Sequence, residues 1–513
     1  MPRFSIITPV YNVPAKFFKD TSRSVLQQDF ADWEWILVDD ASPSSHVKPM
    51  LNRLSRSDNR VRVIFAEENS GIVGATNLAV AAATGEFVAL LDHDDLLAPQ
   101  ALSLVDRALR QDQSIDMVYT DEDKLGPLGR HYDRVTKPRW SPEKLRGQMY
   151  VGHLGVYRTS LVHKVGGFRK ECEGSQDHDL ALRVSELARK VEHVPEVLYH
   201  WRVVPGSTAA TVENKPYTWQ AGLRAVKDHV ERIGLDAEVD YGPAPSHYTV
   251  TRRPDLTTPV SIIIPTRGGE ASVRGSSRVC ILSLVESLLA KNSHSNLELV
   301  VVYDSETPVH VLSDLKQLTN GFLKLIEYSK PFNFSEKCNL GALQATNETL
   351  LFLNDDMEFV SDEAIGQLIA PLNEPGVGAT GARLLFEDGS VQHGGHKHHL
   401  GSYTLNYHGY PNEHPGEFGS MLINRETSGV TGACVAIRRS LFLEVGGFSE
   451  LFPNSYNDVD LCNKITSTGA RILWLANTVL SHFESKSRVP VVDPGDYLRI
   501  QERWGSSRDP YYA

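Results

Sequence analysis

The strongest constraint on the fold of this chain is an internal duplication. "FSIITPVYN" near the start returns as "VSIIIPTRGG" (260–269), "WEWILVDDAS" as "LELVVVYDSE", and "GIVGATNLAVAAATGEFVALLDHDD" as "FSEKCNLGALQATNETLLFLNDD". Pro9 and Pro265 stand 256 residues apart; Asn77 and Asn339, like Asp94 and Asp356, stand 262 apart. Near-constant offsets across several elements mean a duplicated domain, and the period is far too long for a solenoid. The later parts match as well. "VGGF" occurs at 165–168 and 445–448, each time followed by a loop, an Asp-x-Asp-Leu entering a helical pattern (177–180 and 458–461), and a strand ending in His, "VPEVLYHWR" and "LANTVLSHFE". An amphipathic stretch, "NKPYTWQAGLRAVKDHVERIG", and the Pro-rich "GPAPSHYTVTRRPDLTTP" stand between the copies. The expected domains are therefore 1–250, with the helical linker at its end, and 251–513.

Each copy alternates strands with helices. "RFSIITPV", "WEWILVDDAS", "RVRVIFAE" and "EFVALLDHDD" read as strands. "PAKFFKDTSRSVLQQ" carries Phe17, Phe18, Val25 and Leu26 at helical spacing, and "GIVGATNLAVAAATG" reads as an Ala-rich helix closed by Gly85. This alternation predicts an α/β fold with a mostly parallel central sheet and helices on both faces. Ligands bind such sheets beyond the carboxyl ends of the strands. There the chain places Asp39 and Asp40 after one strand, and Asp92, Asp94 and Asp95 after another.

Composition narrows the function. A formal net charge of −12 argues against nucleic acid as a partner. Five cysteines without a CxxC pair read as reduced core thiols. "MPRFSIITPVYN" enters a strand at once, without the shape of a secretory leader, and no run of 18 apolar residues occurs. The expectation is a cytoplasmic chain.

"TPVYN", "LVDDAS", "NSGIVGATNLA", "LLDHDD", "GSQDHDLALR" and "VLYHWR" in the first copy resemble, in that order, family 2 glycosyltransferases of the GT-A fold. "IIIPTR", "FNFSEKCNLGA", "LFLNDDMEFV", "NDVDLCNKI" and "VLSHFE" carry the same resemblance in the second. It covers nearly the whole chain and is closest in look to tandem enzymes of bacterial O-antigen and other surface polysaccharides, with a rhamnosyltransferase-like second half. The resemblance implies two Rossmann-like GT-A domains that use nucleotide-sugar donors, UDP- or dTDP-linked. It implies a glycan acceptor that is lipid-linked, and with it peripheral association with the inner membrane face.

It also implies roles. Asp94 would ligate Mn²⁺ or Mg²⁺ and Asp92 would meet the ribose; Asp356 and Asn354 take those places in the second copy. A hard divalent cation bridges carboxylate and diphosphate oxygens that would otherwise repel. Asp40 and Asp304 resemble the acid that reads the pyrimidine N3–H. Pro9, Tyr11 and Asn77, with Pro265, Arg267 and Asn339, complete the donor sites. Asp177 and Asp458 resemble the general base of an inverting transfer, held ionised by a helix N-terminus, where a plain helix cap would equally place an acid. His200 and His482 stand where a histidine completes the metal shell in some GT-A enzymes. Arg202, Lys486 and Arg488 are diphosphate contacts or simply surface cations. "QHGGHKHH" (392–399) is dense in histidine but lacks a suitably spaced Cys or acid, which favours an acceptor-side loop over zinc.

Rivals remain at this level. Tyr303 for Asp39, Arg267 for Tyr11 and Asn354 for Asp92 would suit an inactive second domain acting as a scaffold. A nucleotide- or glycan-binding protein would need neither Asp177 nor Asp458. A Rossmann dehydrogenase fails on the missing Gly-rich turn after the first strand.

Overall fold

The computed structural model describes residues 1–127, 129–203, 216–319, 321–399, 401–483, 493–505 and 509–512. Two large mixed sheets carry the duplication. From edge to edge the first runs Val61–Phe65, Trp33–Asp39, Phe4–Val10, Phe87–Leu90, Gly155–Arg158, Ile115–Leu125, Lys190–Arg202 and Leu96–Leu97. The second repeats that order with Leu323–Tyr328, Leu297–Asp304, Val260–Thr266, Thr349–Leu353, Cys434–Arg438, Val377–Leu385, Arg471–His482 and Met357–Phe359. In each sheet the first four strands are parallel, and the fifth is antiparallel to both its neighbours.

The strands read as unbroken apolar runs because both faces of each sheet are covered. Ile6 packs into one core with Phe18, Trp35 and Phe87, while its neighbour Ile7 packs into another with Ile36, Val73 and Ala79. Ile262 and Ile263 divide in the same way. The Ala-rich helix runs Gly71–Ala82, and its small Ala75 and Ala79 let it lie close on the sheet. Gly85 does not close this helix, as its sequence suggests. The helix ends with Ala83 extended, and Gly85 is needed because a Cβ there would meet the Ser5 backbone N at 2.5 Å.

The helix Pro216–Arg232 and the hairpin Ala237–Tyr241/Tyr248–Arg252 pack into the first core through Ala225, Val226, Val239 and Val250. At the end of that hairpin, Arg252 begins a buried ionic latch between the halves. It donates to both oxygens of Glu143 at 2.7 Å and also holds Glu374. Arg146 bridges the same two acids. Glu426 accepts from the Ser141 hydroxyl and pairs with Arg471 at 2.7 Å. Removing one partner of such a buried pair costs about 3–5 kcal/mol, because a charge is left uncompensated.

Candidate functional site

In the first sheet the strand order reverses between the parallel strands Phe4–Val10 and Phe87–Leu90, the switch point beyond whose carboxyl ends sheets of this kind form a crevice. Pro9 and the exposed Tyr11 lie on one side. The loop Asp92–Asp95 lies on the other, tied across by His93 Nδ1 at 3.1 Å from the Pro9 carbonyl.

The three acids of this loop differ in role. Asp95 is buried and braces the loop: it accepts from the Tyr199 hydroxyl at 2.6 Å and the Arg202 N–H at 2.7 Å. Arg202 also donates its Nε–H to the Asp94 carbonyl at 2.7 Å, so this cation supports the acidic loop through its backbone. Asp92 and Asp94 are half-buried in the crevice. Burial raises the Asp94 carboxyl, Asp92 adds to the rise, and His93 offsets part of it.

Asp177 starts the helix Gln176–Ser185 and faces the same charges. Burial pushes its carboxyl up to about 6; Asp92 raises it further, and His153 and the Gln176 amide at 3.2 Å oppose the rise. Burial thus outweighs the helix N-terminus here, yet a carboxyl at about 6 is still ionised at neutral pH. Its neighbour Asp179 is fully buried between Arg169 and Arg183 and builds the helix start rather than the site.

Two residues expected at the donor have structural work. The Asp40 carboxylate accepts from the Ser70 N–H (2.8 Å) and hydroxyl (3.0 Å) and from the Gly71 N–H (3.0 Å), holding the start of helix Gly71–Ala82. The Asn77 amide donates to the Phe168 carbonyl and accepts from its N–H, both at 2.8 Å. Asn339 clasps Phe448 in the same way at 2.9 Å. The pair thus pins the "VGGF" turns, whose Gly167 and Gly447 have φ of +70° and +61° and leave no room for a Cβ beside the asparagine. His200 Nδ1 lies 2.7 Å from Asp123, beside His131, which leaves its Nε2 outside that hydrogen bond.

The second crevice keeps the backbone and changes the charges. Asn354, Asp356 and His482 come together, with His482 Nε2 3.2 Å from Asp356 and 3.4 Å from the Asn354 amide. Pro265 again precedes the turn at the end of the first strand. Asp355 accepts from the Thr266 hydroxyl at 2.6 Å, and burial with Asp356 pushes it up to about 6. Asp304, expected to read a base, is held instead by the fully buried Lys337, whose Nζ donates to it and to the Thr266 carbonyl, each at 2.7 Å. Arg267 closes on its other oxygen at 3.5 Å and stacks over Phe332. Ala75 occupies the position of Lys337 in the first copy.

Asp458 accepts from the Gly432 N–H (3.0 Å) and Val459 N–H (2.8 Å), with His396 Nε2 at 3.7 Å. Burial alone would raise this carboxyl, but His396 and the two N–H groups bring it down to about 2. His396 comes from the "QHGGHKHH" segment. That segment is a buried pair of strands, Val391–His393 and His396–His399, the latter paired with Ser402–Leu405, rather than an open loop. Burial holds the His398 ring down to about 3. Among the described residues the histidines of this segment do not come together with ligand spacing, whereas Asp123, His131 and His200 bring one ligand atom each within 4.8 Å of the others. Lys486 and Arg488 lie outside the described residues. Lys337 and Asp123 were missed by sequence reasoning, and His396 was read within its histidine-rich segment without its Asp458 partner, although a cation at the place of Ala75 was visible once the copies were aligned.

The family model for glycosyl transferase family 2 matches residues 5–166 and again 261–446. An uncharacterized protein of Sinorhizobium fredii is 37% identical over the whole chain, which covers 57% of that protein. An O-antigen biosynthesis protein of Myxococcus xanthus is 36% identical, again over the whole chain and over 40% of its own length. The chain thus spans about half the length of these relatives. Among solved structures, a fragment of S. aureus TarS in complex with UDP-GlcNAc matches with a TM-score of 0.38 and 21% identity, over 44% of this chain and 66% of that one.

Proposed function

The chain belongs to glycosyl transferase family 2, through two tandem GT-A domains, and from this premise we propose that it is a bifunctional, metal-dependent, inverting transferase. Each domain moves a sugar from a UDP- or dTDP-linked donor to a growing, lipid-linked cell-surface polysaccharide at the inner membrane face. The whole-length similarity to an O-antigen biosynthesis protein supports the polysaccharide. No helix among the described residues is long and apolar enough to cross a membrane, so membrane contact in this reading comes through the acceptor.

The observation that supports the reading is that the buried Asp177, at a helix start, lies close enough to Asp92 to be raised by its charge. A carboxyl at about 6 is ionised at neutral pH yet basic enough to take the proton of an acceptor hydroxyl. As that oxygen attacks the anomeric carbon, the bond to the nucleoside diphosphate breaks on the opposite face. Asp458 has the same place in the second domain.

The residues fit a divalent cation. Burial and the neighbouring carboxylate raise Asp94 beside Asp92 and Asp355 beside Asp356 by more than His93, Arg202 and Lys337 offset, a balance that a divalent cation would relieve. Asp92 and Asp94 would hold the ion in the first domain, and Asp356 with His482 in the second. When bound, Mn²⁺ or Mg²⁺ neutralises the charge developing on the leaving diphosphate. Tyr11 and Pro9 then flank the donor in the first domain, and Arg267 supplies a cation at the corresponding place in the second.

A second reading has its own support: Lys337 and Arg267 occupy Asp304, which suits a second domain that is a scaffold. Release of diphosphate from a panel of UDP-, dTDP- and GDP-sugars decides between them. Two working sites give turnover that EDTA abolishes and that Asp94→Ala and Asp356→Ala each reduce in part. A scaffold gives turnover lost with Asp94→Ala alone. Binding of a donor without turnover, even with a lipid-linked acceptor supplied, would overturn the proposal.

A further inference from the structure

We propose that Asp123, His131 and His200 form a transition-metal site in the first domain, on the flank of the donor loop, where His200 pairs with Leu96. Three strands converge to build it. Asp123 on Ile115–Leu125 stands opposite His200 of Lys190–Arg202, and His131 opens the strand His131–Val135, opposite Leu125. His200 Nδ1 lies 2.7 Å from Asp123 Oδ1, and His131 Nδ1 lies 3.2 Å and 3.0 Å from the two oxygens of the same carboxylate. The rings meet edge to face at 4.4 Å. One ligand atom from each residue lies within 4.8 Å of the others. A tetrahedral ion with bonds of about 2.0–2.1 Å separates its ligand atoms by roughly 3.3 Å, so the set needs only a small adjustment to close on one.

The donor set selects the ion. Two imidazoles and one carboxylate suit Zn²⁺ or a similar first-row ion; Mg²⁺ and Ca²⁺ prefer oxygen alone. Asp123 is buried, whereas the His131 side chain is 46% exposed, which leaves the solvent side for a water as fourth ligand. Among the described residues the second domain has no equivalent. There His482 turns to Asp356, and Phe386 continues the strand register into the place of Asp123. The site is therefore a feature in which the two copies differ.

Its position suggests what the ion does. Tyr199 and Arg202, on either side of His200, brace Asp95 and the Asp94 backbone. An ion that fixes His200 to two other strands holds that brace in place. It acts as a positioning device beside the donor loop and takes no part in the transfer, so the inference stands whether or not the proposed transfer is correct.

The test is Co²⁺ titration followed by visible absorption on the 513-residue chain carrying Asp92→Ala, Asp94→Ala and Asp356→Ala, which removes the acids proposed to hold the donor-site ion. One Co²⁺ per chain with the intense bands of a tetrahedral site is expected. His131→Ala in that background, at an exposed position that folding tolerates, should weaken binding by at least about 10–100-fold, and Asp123→Asn should do the same. Circular dichroism checks that each variant is folded. Absence of Co²⁺ binding in the background protein, or unchanged affinity after His131→Ala, would overturn the proposal and leave a hydrogen-bonded Asp–His pair.

Discussion

The two crevices share strand order, turn glycines and the asparagine clasp, yet they carry opposite charge settings. In the first, Asp177 is raised to about 6 by burial and Asp92; in the second, Asp458 is brought to about 2 by His396 and two N–H groups. Asp40 rests on a helix start, whereas Asp304 is held by a buried lysine and an arginine. The difference teaches that duplication preserved what packing demands and released what chemistry demands. Backbone hydrogen bonds and core volume tolerate little change. One side chain at a crevice wall can shift a carboxyl by several pH units.

The comparison is sharpened most by the bases themselves. With the second domain silenced by Asp356→Ala, Asp177→Asn should lower diphosphate release by about 10²–10⁴-fold. Asp458→Asn in the Asp94→Ala protein should lower it less, because a carboxylate held near 2 is a weaker base. Equal losses would erase the distinction. Next in size is Lys337→Ala, which strips Asp304 of its buried cation. A cost of about 3 kcal/mol to the second domain is expected, seen as faster hydrogen exchange in Val260–Thr266 with Phe4–Val10 unaffected. The smallest effects should be equal ones. Asn77→Ala and Asn339→Ala each leave a Phe backbone pair without its partners, at about 1–3 kcal/mol, read as matched increases in exchange at the two "VGGF" turns.

Much of the fold was legible because repetition and apolar alternation are properties of the sequence itself. The strand ends at Asp40, Asp92, Asp304 and Asp356 followed from where apolar runs stop. The site was harder to read, because partners lie far apart in the chain. Asn77 meets Phe168 across 91 residues and Glu143 meets Arg252 across 109; no local pattern encodes such pairs. Lys337 was hidden by its helical context, where a lysine is usually solvated. The Asp123 partner of His200 was out of reach because it depends on whether the strand beside it carries Asp123 or, as in the second copy, Phe386. The raised Asp177 was out of reach too, since burial at a helix start can outweigh the helix dipole.

The central claim is that two copies of one fold run at different charge settings, and the pH dependence of donor hydrolysis tests it most directly. Rates for Asp356→Ala and Asp94→Ala proteins would be recorded from pH 5 to 8 at saturating Mn²⁺, which keeps Asp355 from titrating. A general base works only when deprotonated. The first domain, isolated by Asp356→Ala, should therefore lose activity as pH falls through about 6. The second, isolated by Asp94→Ala, should show no such limb, and His396→Ala should move its acid limb upward. A shared limb in both proteins, or none in the first, would contradict the account.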